Sequence, residues 1–163
     1  MKKIILGVDP GLSGAIAAVS QQKLISVFDT PTVERKVGKS VKRFISPHEL
    51  HTELAAFLVD HECEAWIEQV SAMPGQGVTS MFNFGRSLGN VEGVLASLKI
   101  RYHFVPPLTW QRAVRLTGGK EGARALAMQM FPEMTSAFGR VKDNGRADAA
   151  LIALYGSMQT KEG

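Results

Sequence analysis

Residues 3–11, Lys3-Ile4-Ile5-Leu6-Gly7-Val8-Asp9-Pro10-Gly11, set a short run of branched apolar side chains directly ahead of an Asp-Pro-Gly turn. A run this short, closed by turn residues, reads as a buried strand, and the strand delivers Asp9 to its end. Working outward, 14–20 (GAIAAVS) and 23–29 (KLISVFD) read as two further strands joined by the polar pair Gln21-Gln22. The chain therefore opens as a three-stranded antiparallel meander. The turn at Asp9 also interrupts the apolar run, which argues against reading the N-terminus as a secretory leader.

Residues 31–45 carry Arg35, Lys36, Lys39, Lys42 and Arg43 with few apolar anchors and are expected to form a mobile basic loop. A helix is expected from Ser46 to about Asp60: Ser46 is a good N-cap, Pro47 suits the first helical position and Glu49 completes a capping box. A fourth strand is expected over 64–70 (EAWIEQV), then an irregular stretch over 72–78, a long helix over roughly 79–98, and a fifth strand over 101–105. Pro106-Pro107 leads into a helix through Trp110; further helices are expected over about 120–131 and 146–158, with 132–145 irregular between them. Strands alternating with helices after a meander imply an α/β fold, a mixed five-stranded sheet with helices on both faces. No repeat or linker divides residues 1–163, so one domain is expected.

The 163 residues are 45% hydrophobic and 21% charged, enough apolar content for a real core, with a net charge of +4 that favours a polyanionic partner without deciding it. The single cysteine, Cys63, allows no intrachain disulfide and no Cys/His zinc set, and is read as a small residue at the core edge. No apolar run reaches the length of a membrane span. A reducing, cytoplasmic setting is expected.

Three carboxylates stand out. Asp9 alone would be ordinary turn chemistry before Pro-Gly. Glu68, in Trp66-Ile67-Glu68-Gln69-Val70, shares a strand face with Trp66 and Val70 by alternation; a buried glutamate is costly unless paired, hydrogen-bonded or metal-bound, whereas a solvated strand end would need no such partner. Asp148, expected in the first turn of the last helix, could simply favour the helix dipole, but it shares a face with Ile152 and Tyr155, which should turn it inwards. Asp143 precedes the same helix. Carboxylates from strand ends and a helix start can converge at one sheet edge, and a cluster of like charges is best explained by divalent cations. Carboxylate and water ligands suit Mg²⁺ or Mn²⁺, and two such ions about 3.5–4 Å apart can drive phosphodiester cleavage.

Val8-Asp9-Pro10-Gly11, Ile67-Glu68-Gln69 and Arg146-Ala147-Asp148-Ala149, in this order and spacing, resemble the RuvC-type Holliday-junction resolvases. The segment Met73-Pro74-Gly75-Gln76-Gly77-Val78 running into Ser80-Met81-Phe82-Asn83-Phe84-Gly85 is similar to the phage-encoded branch of that family. The resemblance covers nearly the whole chain. It implies an RNase H-like fold, a homodimer, and Mg²⁺- or Mn²⁺-dependent paired nicking of four-way or branched DNA in the cytoplasm, the host's if the chain is phage-encoded. It also implies Asp9, Glu68 and Asp148 as metal-binding catalytic carboxylates, and Lys120 as a catalytic lysine beside the scissile phosphate. Bacterial members carry a fourth acidic or histidine ligand at the position of Gly145; Asp143 is the nearest substitute here. They also place a base-stacking aromatic at the position of Ser71, a role open to Phe82 or Phe84 in this chain.

For phosphate contacts the candidates are Arg35, Lys36, Lys39, Lys42, Arg43, Arg112, Lys120 and Arg146, with Arg140 and Lys142 near Asp148 and Gln76 in the glycine-rich segment. A charge run can equally be a solvated face. On the long helix, Met81, Phe84, Leu88, Val91, Leu95 and Leu98 form one stripe, and Gly85, Gly89 and Gly93 a second where something packs close. Two other readings compete: a nuclease of the same fold acting on flaps, forks or RNA–DNA hybrids, and an actin-like nucleotide-binding protein whose Gly11-Leu12-Ser13-Gly14 turn cradles phosphate. A binding-only module would leave the placement of the three carboxylates without a reason.

Overall fold

A computed structural model describes residues 2–160. Five strands form one sheet in the order β3-β2-β1-β6-β7. They are β1 (Lys2–Asp9), β2 (Ala15–Ser20), β3 (Lys23–Asp29), β6 (His61–Glu68) and β7 (Arg101–Val105). The pairs β1–β2 and β2–β3 are antiparallel, whereas β1–β6 and β6–β7 are parallel. The helices are α1 (Pro47–Phe57), α2 (Val78–Ser97), α3 (Pro107–Ala113), α4 (Gly119–Met130) and α5 (Asn144–Gln159).

The central position of β1 follows from its unbroken apolar run, since only a strand covered on both faces can bury every side chain. Alternation sends Ile4, Leu6 and Val8 to the face covered by α1 and α2, where they pack with Leu50, Leu54, Val91 and Leu95. The opposite face lies under α5, with Ala15, Ala17 and Val19 against the run Ala147 to Tyr155. That approach is close enough to require glycine. A Cβ on Gly7 would stand 2.0 Å from the Ala149 carbonyl oxygen, and one on Gly156 would stand 2.3 Å from the Trp66 ring. Because Asp9 lies two residues beyond Gly7 on the same face, the helix that crowds Gly7 also fixes the distance from Asp9 to the start of α5.

Three boundaries differ from expectation. Residues 31–45 do not form a mobile loop: they form a hairpin of β4 (Thr32–Val37) and β5 (Ser40–Ile45) with Arg35 opposite Lys42. The basic side chains masked a strand pattern carried by Val33, Val37, Val41 and Phe44, and Gly38 supplies the turn with φ of 61°. The hairpin is seated by Phe44, whose ring lies 4.6 Å from the Arg86 guanidinium on α2 and 5.6 Å from that of Arg35. Strand β6 spans 61–68, so Glu68 is its last residue. Helix α5 begins at Asn144, after two short 3-10 stretches at Pro132–Phe138 and Val141–Asp143. Asp148 is therefore in the second turn, beyond the strongest influence of the helix N-terminus.

Candidate active site

Asp9 at the end of β1 and Glu68 at the end of the neighbouring β6 leave the sheet side by side, because Val8 pairs with Ile67. Asp148 comes over them from α5, oriented by the buried Ile152 and Tyr155 below it on the helix. Asp9 and Asp148 open into a cleft of about 740 Å³. Its walls are the turn Pro10–Gly14, the polar side chains Ser80, Asn83 and Ser87 of α2, Lys120 at the start of α4, Lys142 ahead of α5 and Asn144 at its start.

Burial pushes the Asp9 carboxyl up to about 8, with the charges of Asp148 and Glu68 adding to it and that of Lys120 opposing. Asp148 rises to about 6, again by burial first and then by Glu68, with Lys120 opposing. Burial raises Glu68 as well, against a hydrogen bond from the Trp110 indole, whose Nε1 donates to Glu68 Oε2 at 2.7 Å. Three desolvated carboxylates, with Glu68 raising both aspartates and Asp148 raising Asp9, are held together by the fold at a cost to the fold itself. A divalent cation would relieve that repulsion, and hard oxygen donors of this kind suit Mg²⁺ or Mn²⁺. Among the described residues, no three such side chains are already drawn together as a closed metal cage; Glu68 is turned to Trp110. The donor set fits a metal, with the final approach of its ligands left to be made.

The other sequence-expected residues divide. Lys120 joins the cluster, close enough to oppose the shifts of both aspartates. Asp143 takes a different place. It is 1% exposed and clasped by Arg140, whose backbone N–H and guanidinium both donate to it, with Arg146 at 3.9 Å. Those bonds hold Asp143 below the usual carboxylate range and turn its carboxylate back onto the 3-10 stretch Val141–Asp143, so that it stands at the N-cap position of α5 without a side-chain bond to that helix. Arg146 is likewise committed, donating to both oxygens of Asp29 at 2.8 and 3.1 Å, and so ties α5 to the edge strand β3 instead of standing open to phosphate. Gln76 closes its own turn: its side chain accepts from Met73 N–H while its backbone N–H donates to Met73 O.

Arg43 reaches from the hairpin to the Leu12 carbonyl and the Ser13 hydroxyl, fastening the basic arm to the cleft's own turn. Lys36, Lys39, Lys42 and Arg112 are exposed. Phe82 is 68% exposed and stands clear of the core, whereas Phe84 is half-buried in the cleft wall. The sequence reading missed Trp110, and it missed the polar positions 80, 83 and 87 of α2. The latter recur at helical spacing and were the available signal; the former looked like any core aromatic.

Gly145 has a physical explanation. A Cβ there would lie 2.6 Å from the Ser13 carbonyl oxygen and 3.2 Å from Asp9 Oδ2, so no side chain fits between α5 and the Asp9 turn. Gly145→Ala is expected to destabilise the protein by about 1–3 kcal/mol through this overpacking, measured by urea denaturation. A variant as stable as the parent would show that the turn gives way freely.

The class of fold is settled by comparison: the strands and helices are arranged as in RuvC, the mixed α/β sheet of the RNase H-like fold. Two solved structures carry that likeness. The structure of Thermus thermophilus RuvC matches with a TM-score of 0.55 at 14% identity, over 96% of this chain and 97% of that one. RuvC from the same organism in complex with a Holliday junction substrate matches with a TM-score of 0.55 at 12% identity, over 96% of each chain. In sequence, the chloroplastic Holliday junction resolvase MOC1 of Chlamydomonas reinhardtii is 30% identical over 92 residues, which are 55% of this chain and 10% of that protein. The chain thus spans about a tenth of the length of the curated relative it matches. No protein-family model matches the chain. Among the described residues, no helix is long and apolar enough to cross a membrane.

Proposed function

We propose that this chain is a divalent-metal-dependent endonuclease that resolves Holliday junctions, acting as a single nuclease domain in the cytoplasm. The observation that carries the reading is the convergence of Asp9, Glu68 and Asp148, with Lys120 beside them, at one edge of a RuvC-like sheet. The sequence likeness to a Holliday junction resolvase supports the substrate. Asp9, Glu68 and Asp148 hold Mg²⁺ or Mn²⁺, which supplies Lewis-acid chemistry for phosphodiester hydrolysis. The chain's own part is to bring the DNA backbone into the cleft with the exposed lysines of the hairpin and with Arg112, and to keep the carboxylates fixed as charge develops. Phe82, exposed on α2, is the base-stacking side chain, worth about 1–3 kcal/mol per base. The segment 73–85 supports placement in the phage-encoded branch. A panel of four-way junctions, flaps, forks and RNA–DNA hybrids tests the substrate: preferred cutting of flaps or hybrids would replace junction resolution by a general nuclease activity.

Lys120 stabilises charge growing on the scissile phosphate. Lys120→Ala is expected to slow single-turnover nicking by about 10²–10³-fold, the range for loss of one such group, with little change in the half-saturating enzyme concentration. An unchanged rate constant with weaker binding would make Lys120 an ordinary phosphate contact.

The working unit is a homodimer, since two nicks on strands related by two-fold symmetry need two sites with that symmetry. The glycine stripe of α2 supports this. Cβ atoms built on Gly85, Gly89 and Gly93 meet nothing within 4 Å among the described residues, although each such glycine costs the helix roughly 1 kcal/mol against alanine. Val91 and Leu95 meanwhile fill the core on the other side. Gly89→Leu is therefore expected to fold normally but sediment as a monomer at micromolar concentration. A variant that remains dimeric would move the interface elsewhere.

A further inference from the structure

Glu68 is the one member of the carboxylate cluster with a hydrogen-bonded side chain among the described residues, and its donor comes from the core. Trp110 is 0% exposed, yet its indole N–H points out of the apolar interior to Glu68 Oε2 at 2.7 Å. An indole donates and does not accept, so this partner suits a carboxylate and leaves the other oxygen of Glu68 for a different ligand. The backbone beside it is pinned from the same connection: Gln69 N–H donates to the Val105 carbonyl at 2.7 Å, and Val105 leads through Pro106-Pro107 into the helix that carries Trp110. The chain's other tryptophan offers a contrast, because the buried Nε1 of Trp66 has no partner among the described residues. Satisfying an indole N–H is thus not a general requirement of this core.

We propose that Trp110 is a positioning residue that holds one oxygen of Glu68 so that the other is presented to the divalent cation shared with Asp9 and Asp148; this rests on reading the cluster as a metal site. Residues that orient metal ligands typically change affinity or activity by about 10–100-fold when removed. Trp110 is placed to do so without touching the metal.

The test uses the whole protein and reads binding rather than cleavage. The chain has two tryptophans, so a ¹⁵N-correlated spectrum shows two indole cross-peaks, assigned with Trp66→Phe. Titration with Mg²⁺ is expected to move the Trp110 peak saturably in the parent and not in Glu68→Gln, with the Trp66 peak still in both. Calorimetry with Mn²⁺ is expected to show affinity about 10–100-fold weaker in Trp110→Phe, and no further weakening when that change is added to Glu68→Gln. An equal loss in both backgrounds would mark Trp110 as a structural residue and overturn the proposal, as would a Trp110 peak that ignores Mg²⁺ while the parent binds it. Should Trp110→Phe fail to fold, the parent's titration decides. If the parent binds neither Mg²⁺ nor Mn²⁺, the metal reading of the site falls first and this inference with it.

Discussion

Asp9→Asn, Glu68→Gln and Asp148→Asn are each expected to slow nicking of a four-way junction by about a thousandfold or more, while junction binding changes by no more than a few-fold. Each swap removes one metal-ligating charge and almost no volume. Metal stabilisation of a phosphoryl transition state amounts to several kcal/mol, and about 4 kcal/mol is a thousandfold in rate. Binding survives because the positioning contacts run between DNA phosphates and basic side chains, here the hairpin lysines and Arg112, which the three substitutions leave in place. Single-turnover cleavage beside an electrophoretic binding assay separates the two quantities. A variant that nicks at the parent's rate removes its residue from the site.

Asp9→Asn is also expected to make the metal-free protein more stable at neutral pH. Burial and the neighbouring carboxylates raise Asp9 from 3.8 to about 8 and Asp148 from 3.8 to about 6. A carboxyl whose folded value is raised keeps its proton in the native state over a range where the unfolded chain has lost it. Its contribution is full below about 4 and is lost as pH rises towards the folded value, so the metal-free protein should lose stability between about pH 4 and 8. For Asp9 the loss is on the order of several kcal/mol, and the amide escapes it. At about 2–4 °C per kcal/mol for a chain of this size, the melting temperature in EDTA at pH 8 should rise by roughly 10 °C. Mg²⁺ should raise the melting temperature of the parent and not of the variant, because the metal needs the deprotonated ligand. A melting temperature lowered by Asp9→Asn at pH 8 would mean that Asp9 is not held against its preference.

The sheet and the three carboxylates were legible in the sequence because both rest on strong local signals. The β1 run is too short for a helix and too apolar for a surface strand, and Glu68 sits on an apolar face. What failed to show depends on side chains meeting across the fold. The hairpin at 32–45 was hidden because its basic residues alternate with a few β-branched ones, and its seat on α2 is made by Arg86, distant in sequence. Asp143 read as a substitute ligand by proximity to Asp148, but its partner is Arg140, three residues before it, and the resulting cap points it into its own turn. Arg146 read as a free cation until Asp29, on the far edge of the sheet, took it. The absence of a side chain at Gly145 was visible; its cause, the Ser13 carbonyl pressed against α5, was not.

Incubation of the purified protein with a synthetic four-way junction, strand ends labelled, in Mg²⁺, Mn²⁺ or EDTA, addresses the central claim most directly. Metal-dependent nicks at symmetric positions on two opposed strands, absent in EDTA and in Asp148→Asn, are the result expected. Binding of the junction with no nick in either metal, or nicks that persist in EDTA, would contradict the assignment of Asp9, Glu68 and Asp148 as the metal site of a junction resolvase.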